Sequence, residues 1–330
     1  MSNVNESAKS IKLSHLLNIV LLITLVGTII FGYFYYKQLS ITDAVKQKVD
    51  VSKGYDMPEY LYTIYGVGED RLLFPSSTYV DEQDVFVVDT LNTRVLVFDY
   101  NGRFRYAIGD KSAKKSIFSQ PRELTIFNNR LYVTDPYKRK VFILARNGEL
   151  LGNFAEKELK MPNSICFKDG RFYIIDTGDH YVKVFDTQGK LLLKFGGAGQ
   201  EKGKFRNPMG INVDELGRIY VADSNNYRVQ VFDSTGKVVS VWEGKGAEKV
   251  GGYIIPRGIS FDKKGYVWIA NSLASGVSAS DKDGNRLYML RTGESEGDQL
   301  ALPTSTFIDK NNRLYVTAYG GHRVLVYQLN

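Results

Sequence analysis

Side chains suited to catalysis are scarce in this chain. A single Cys166 excludes an internal disulfide, a zinc ribbon and a CxxC redox pair, and three scattered histidines, His15, His180 and His322, lack the spacing of a dedicated zinc centre. Carboxylates are plentiful, yet Asp89, Asp135, Asp176 and Asp223 recur in one setting, at the start of a turn, where Asp accepts backbone N–H bonds. We expect these four to be structural. The remaining chemistry is recognition. Arg and Tyr dominate interface energetics, so the anchors we single out are Arg122, Arg257, Arg139 and Tyr227, with Asn163 and Lys138 beside them. No catalytic residue, metal ligand or cofactor is expected.

A scaffold must position these residues, and the sequence states it by repetition. The segment YVADSNNYRVQVFDSTG, Tyr220 to Gly236, aligns with FVVDTLNTRVLVFDYNG from Phe86 and FYIIDTGDHYVKVFDTQG from Phe172. Further copies begin at Leu131, Val267 and Leu314. Counting from Asp89, Asp135, Asp176, Asp223, Asn271 and Ala318, the spacings are 46, 41, 47, 48 and 47 residues. Nine residues on stand Phe98, Leu144, Phe185, Phe232, Ser280 and Tyr327; thirteen on, the first five copies have Gly102, Gly148, Gly189, Gly236 and Gly284. A proline opens each unit: Pro75, Pro121, Pro162, Pro208, Pro256 and Pro303.

Each unit reads as four short strands, in the fourth copy Gly210 to Val213, Arg218 to Ala222, Arg228 to Phe232 and Lys237 to Trp242, separated by the turns DELG, DSNN and DSTG. The 22 Tyr, 18 Phe and 31 Gly suit such strands and tight turns. A four-stranded sheet cannot bury both faces alone, so the units must stack, and radial stacking gives a β-propeller. A linear solenoid would want polar capping repeats, whereas the sixth unit stops at its third strand. The missing strand is at the other end: Tyr60 to Gly66 supplies it, pairing Leu61 to Tyr65 with Val324 to Gln328 and removing an exposed sheet edge.

The fourth copy, its proline and the connection KFGGAGQEKGKFRNPMGI resemble NHL repeats, and residues 60–330 resemble a six-bladed NHL propeller. Four units match well. In the fifth, Asn271 replaces the Asp and Gly276 stands where Arg228 stands in the fourth; the sixth has Ala318 in place of the Asp. These departures predict weaker Asp-to-loop interactions in both blades. The resemblance implies a binding face made by the connections into each first strand and by the turns between second and third strands. Ser76, Arg122, Asn163, Met209, Arg257 and Thr304 are expected near the channel, and Asn92, Lys138, Arg139, His180, Asn226, Tyr227 and His322 further out.

Propellers of this type include binding platforms, RNA readers and a few enzymes, so the fold does not choose among them. A lyase resembling the amidating lyases needs several imidazoles on one metal; His180 and His322 lie on turns far apart around the ring and read as exposed turn residues. A lactonase-like calcium site could use Glu123 and Asn163, but Arg122 and Arg257 bring positive charge to the same mouth. For nucleic acid, residues 61–330 carry 37 Lys and Arg against 31 Asp and Glu, with basic turns at Lys138, Arg139, Lys140 and at Lys111, Lys114, Lys115. The same lysines suit anionic lipid headgroups.

Tethering argues against nucleic acid. From Leu13 to Tyr36 run 24 residues without Asp, Glu, Lys or Arg, spanning roughly 36 Å as a helix, enough to cross a bilayer core. Phe31, Tyr33, Phe34, Tyr35 and Tyr36 followed by Lys37 read as an interfacial belt, and no A-x-A-like cleavage site follows. The expected order is therefore a tail (1–12), a transmembrane helix (13–36), a juxtamembrane linker (37–59) and an all-β, six-bladed NHL-type propeller (60–330). Lys9 and Lys12 precede the span while Lys37, Lys46, Lys48 and Lys53 follow it, which by count puts the propeller in the cytoplasm. Long domains translocate regardless of flanking charge, and the resemblance to anchored bacterial NHL proteins implies an uncleaved signal anchor. The expectation is a single-pass membrane protein whose extracytoplasmic propeller binds a protein, peptide or glycan.

Overall fold

A computed structural model describes residues 57–109, 116–243, 253–291 and 300–330. The expected span at 13–36, the tail, the linker up to residue 56 and Lys111, Lys114 and Lys115 lie outside the described residues. Among the described residues no helix is long and apolar enough to cross a membrane.

Six antiparallel four-stranded sheets follow one another around a ring. The first comprises Ser77–Val80, Val85–Asp89, Arg94–Phe98 and Phe104–Ile108; the fourth comprises Gly210–Val213, Ile219–Asp223, Arg228–Phe232 and Val238–Glu243. The middle strands Ile219–Asp223 and Arg228–Phe232 are buried at every position, because a neighbouring blade covers each face. The outermost strand, Val238–Glu243, mixes exposed and covered residues at the rim. The core is accordingly divided into six clusters, each formed by two adjacent blades. Blades 1 and 2 share Phe86, Val88, Leu131 and Val133; blades 6 and 1 share Val85, Val87, Tyr315 and Val324.

The sixth blade is completed by the start of the domain. Glu59–Ile64 pairs antiparallel with Arg323–Gln328, setting Tyr60 against Tyr327 and Ile64 against Val324. The closing strand thus lies where the repeat places it, starting slightly earlier in the chain. The recurrent glycine also finds its reason. In the first five blades a bulge falls where the third strand meets the fourth, and Gly102, Gly148, Gly189, Gly236 and Gly284 in the following turn have φ between +76° and +89°, a region costly for any residue with a Cβ.

Candidate functional site

The residue after each opening proline points to the axis. Ser76, Arg122, Asn163, Met209, Arg257 and Thr304, one per blade, line a single space of about 30 Å³. That volume holds one or two water molecules. The next residue along forms a second layer, in which Ser77, Glu123, Gly258 and Ser305 line the same space. Small residues there let the innermost strands close up: a Cβ on Gly210 would lie 2.2 Å from the carbonyl oxygen of Arg257, and one on Gly258 2.5 Å from Cα of Ser305.

Arg122 and Arg257 therefore meet at the mouth. One Arg122 guanidinium nitrogen donates to Oε1 of Gln120 at 3.1 Å, and no ion pair to either arginine exists among the described residues. Burial, and after it the positive charge of Arg122, lowers the proton affinity of Arg257. Nε of Arg257 and Oγ of Ser77 are buried without a hydrogen-bond partner among the described residues. Asn163 Nδ2 donates to Sδ of Met209, a weak acceptor.

Glu123 lies one layer down and turns toward blade 3. Its Oε2 accepts the Ile165 N–H at 3.0 Å, and Ser164 also bonds it. Burial pushes this carboxyl up to about 7 against those hydrogen bonds; the surface it retains faces the channel. Cys166 sits close by, its thiol pushed far up by burial and then by the Glu123 charge.

The outer candidates share another position. Four residues after the marker, Thr93, Arg139, His180, Tyr227, Ser275 and His322 all have left-handed backbone, with φ between +47° and +59°. Tyr227 projects outward, 49% exposed, as do Lys138 and Arg139. The histidines do not. Nδ1 of His180 accepts the Asn207 N–H at 3.1 Å, and Nδ1 of His322 accepts the Phe74 N–H at 3.0 Å, so each ring latches its blade to the next one's incoming connection. This corrects their reading as exposed turn residues. Asn92 and Asn226 likewise turn inward, donating to Asp89 and Asp223.

The marker carboxylates clamp the segment before the proline. Asp89 accepts from the Leu73 N–H at 2.7 Å, Asp135 from Ser119, Asp176 from Lys160 and Met161, and Asp223 from Arg206. Asn271 keeps this bond through Oδ1, accepting from Ile254 at 2.6 Å, so the fifth blade loses less than its substitution suggests. In the sixth, Ala318 offers no side-chain acceptor, and backbone bonds from Tyr319 to Leu302 and from Gly320 to Ala301 hold the connection.

One residue after the marker, a hydroxyl staples neighbouring blades. Thr90, Thr177, Ser224 and Ser272 donate to the carbonyls of Pro121, Pro208, Pro256 and Pro303 at 2.8, 3.0, 2.6 and 2.6 Å. Blade 2 has Pro136 there, and at that seam a groove of about 540 Å³ opens, lined by Pro136, Tyr137, Arg139, Lys160, Met161 and Gly178. The six sequence candidates thus divide. Arg122, Asn163 and Arg257 converge at the axis, Arg139 lines the blade 2 to 3 groove with Lys138 beside it, and Tyr227 stands on the blade 4 turn. Sequence reasoning missed Ser77 and the groove residues Lys160 and Met161. Ser77 had a signal, its place two residues after a proline.

The ring of four-stranded blades defines a six-bladed β-propeller. The NHL repeat model matches residues 205–232, the connection into blade 4 and that blade's first three strands, so blade 4 carries an NHL repeat. It is similar, at 28% identity over 137 residues, to the protein brain tumor of Drosophila melanogaster; the match takes in 40% of this chain and 13% of that protein. A gluconolactonase from Xanthomonas campestris superimposes with a TM-score of 0.62 at 17% identity, covering 83% of this chain and 95% of that one. Virginiamycin B lyase from Staphylococcus aureus, in its catalytically inactive H270A form with quinupristin, superimposes with a TM-score of 0.58 at 13% identity, covering 81% and 88%. At such identities these two likenesses establish the fold alone.

Proposed function

We propose that this chain is a membrane-anchored recognition module, a rigid propeller that captures a protein, peptide or glycan on its face and does no chemistry of its own. The observation that carries the reading is the channel mouth, where Arg122 and Arg257 stand with no acidic partner among the described residues, over a space for only one or two waters. A substrate cannot be enclosed there, but a partner laid across the mouth can engage both cations. Arg139, Lys138 and Tyr227 add contact area toward the rim. The apolar stretch at 13–36 anchors the propeller to the cell membrane, on the extracytoplasmic side. Replacing Arg122 and Arg257 together by Ala should leave the fold intact and weaken partner capture in a crosslinked membrane preparation; unchanged capture would sink the assignment. Protease treatment of intact cells should degrade the propeller if the stated side is right.

One observation favours a second reading, a hydrolase or lyase. Glu123, at the channel with its carboxyl raised to about 7, has the proton affinity of a general acid or base. Among the described residues, no three His, Cys, Asp or Glu side chains come close enough to hold a metal. Stoichiometric zinc or calcium in the purified chain, lost with Glu123→Gln, would replace the recognition reading with this one.

A further inference from the structure

We propose that the channel mouth is a receptor for a single carboxylate group, gripped by Arg122 and Arg257 above Ser77, on a ligand whose body stays outside the ring. This rests on the recognition reading and specifies its chemistry. The argument begins with symmetry. Arg122 and Arg257 hold the same place in blades 2 and 5, three blades apart in a ring of six, and so face each other across the axis. Two like charges held together in a partly dry site repel each other, and among the described residues no carboxylate relieves them. Glu123 does not serve, because its carboxyl is bonded to Ile165 and Ser164 of the next blade.

Hydrogen-bonding capacity points the same way. Among the described residues Nε of Arg257 and Oγ of Ser77 are buried without partners, and Ser77 is only 3% exposed. Buried polar atoms are nearly always satisfied, so two orphans lining one space mark a missing acceptor. Size then selects the group. About 30 Å³ admits two water-sized atoms, the two oxygens of a carboxylate, whereas the oxygens of a phosphate monoester outnumber the space. A planar carboxylate also suits the planar donor fork of Arg.

The test uses the full-length chain in detergent micelles, with N-acetylglycine as the probe, N-acetylglycinamide as its uncharged control and inorganic phosphate as the competing anion, at constant ionic strength. Thermal unfolding should shift upward with N-acetylglycine and not with the amide, and the half-maximal concentration should rise at least ~10-fold in Arg122→Gln and in Arg257→Gln. Arg130→Gln, at an exposed position opening the blade 2 strand Arg130–Asp135, should respond like the parent chain. Without probe, Arg257→Gln should melt no lower than the parent, since it removes a buried, unpaired charge; this separates a ligand-gripping arginine from a structural one. Arg257→Lys covers the case in which Gln disturbs folding, and should also bind more weakly. Equal shifts from phosphate, or a shift that persists in both Gln variants, would overturn the carboxylate site. If N-acetylglycine fails while the double Ala variant still loses partner capture, the site is refuted and the recognition reading stands.

Discussion

The clamp in blade 4 should be worth several kcal/mol, and its energy should be shared between Asp223 and Arg228 rather than summed. Asp223 is fully buried; Oδ1 takes the Arg206 N–H at 2.7 Å, and Oδ2 takes Asn226 and Arg228 Nε at 2.8 Å and Gln230 at 3.0 Å. Asp223→Ala orphans these donors and strips a buried guanidinium of its counterion, a loss of about 3–5 kcal/mol for a pair broken on one side. Arg228 keeps carbonyl acceptors at Gln200, Glu201 and Lys204, which places the loss toward the lower end. At roughly 2–4 °C per kcal/mol, a loss of about 3 kcal/mol should lower the melting temperature by about 6–12 °C. Arg228→Ala leaves Asp223 with Arg206, Asn226 and Gln230, and should cost less. The double variant should then recover about 2 kcal/mol relative to the sum of the singles. Blade 5 shows the paired change in nature, Asn271 facing Gly276 where blade 4 has Asp223 facing Arg228. Thermal unfolding of the four chains by circular dichroism closes the cycle. Additivity within about 0.5 kcal/mol, or an Asp223→Ala loss below about 1 kcal/mol, would refute the clamp as the coupling element.

Glu123 sets a pH dependence of definite sign. Its folded-state affinity near 7 exceeds that of an unfolded Glu, so the native state binds the extra proton and stability falls as pH rises from about 4.5 to 7, by at most about 3 kcal/mol. Glu123→Gln should flatten that slope in unfolding measured from pH 5 to 8; an unchanged slope refutes it. Cys166, with its thiol held far above the usual range, should react with a maleimide at least ~100-fold more slowly in the native chain than in urea. Equal rates would contradict that burial. Deleting the closing strand, Glu59–Ile64, exposes the edge of Arg323–Gln328 and should produce aggregates by light scattering, whereas a monodisperse product would show that the ring does not need its fourth strand there.

Much of this architecture was legible because each blade repeats one solution to the same local problem. The strands and turns recurring around Tyr220 to Phe232, the glycine thirteen residues past the marker and the unpaired sixth unit each had a local cause, so the ring and its closure could be read from the chain. The axis was legible too, since a proline fixes where each inner strand starts and hence which residue meets the channel. What could not be read depended on partners in the next blade. His180 and His322 look like exposed turn residues until Asn207 and Phe74 bring N–H groups to their Nδ1 atoms, from 27 and 248 residues away. Ser77 looks like an ordinary strand hydroxyl until the ring closes and leaves its Oγ without a partner.

The departures from the repeat separate structure from recognition. Positions that hold blades together are met by interchangeable chemistry: Thr or Ser for the staple, Asp or Asn for the clamp, with backbone bonds taking over at Ala318. Such tolerance is expected where only one acceptor or donor is required and geometry supplies the rest. Arg122 and Arg257 are different. Their equivalents in the other blades are Ser76, Asn163, Met209 and Thr304, all uncharged and shorter in reach, so packing the mouth does not call for a guanidinium. Pro136 is different in the opposite sense: it has no hydroxyl, Thr134 carries the inter-blade bond instead, to the Asn163 carbonyl at 2.8 Å, and Tyr137 and Arg139 flank an open groove at that seam. Stability gains nothing from placing two cations together with no carboxylate paired to them among the described residues, or from leaving a groove open between two blades. Those are the places where a ring already held by its other contacts can carry residues chosen for something outside it.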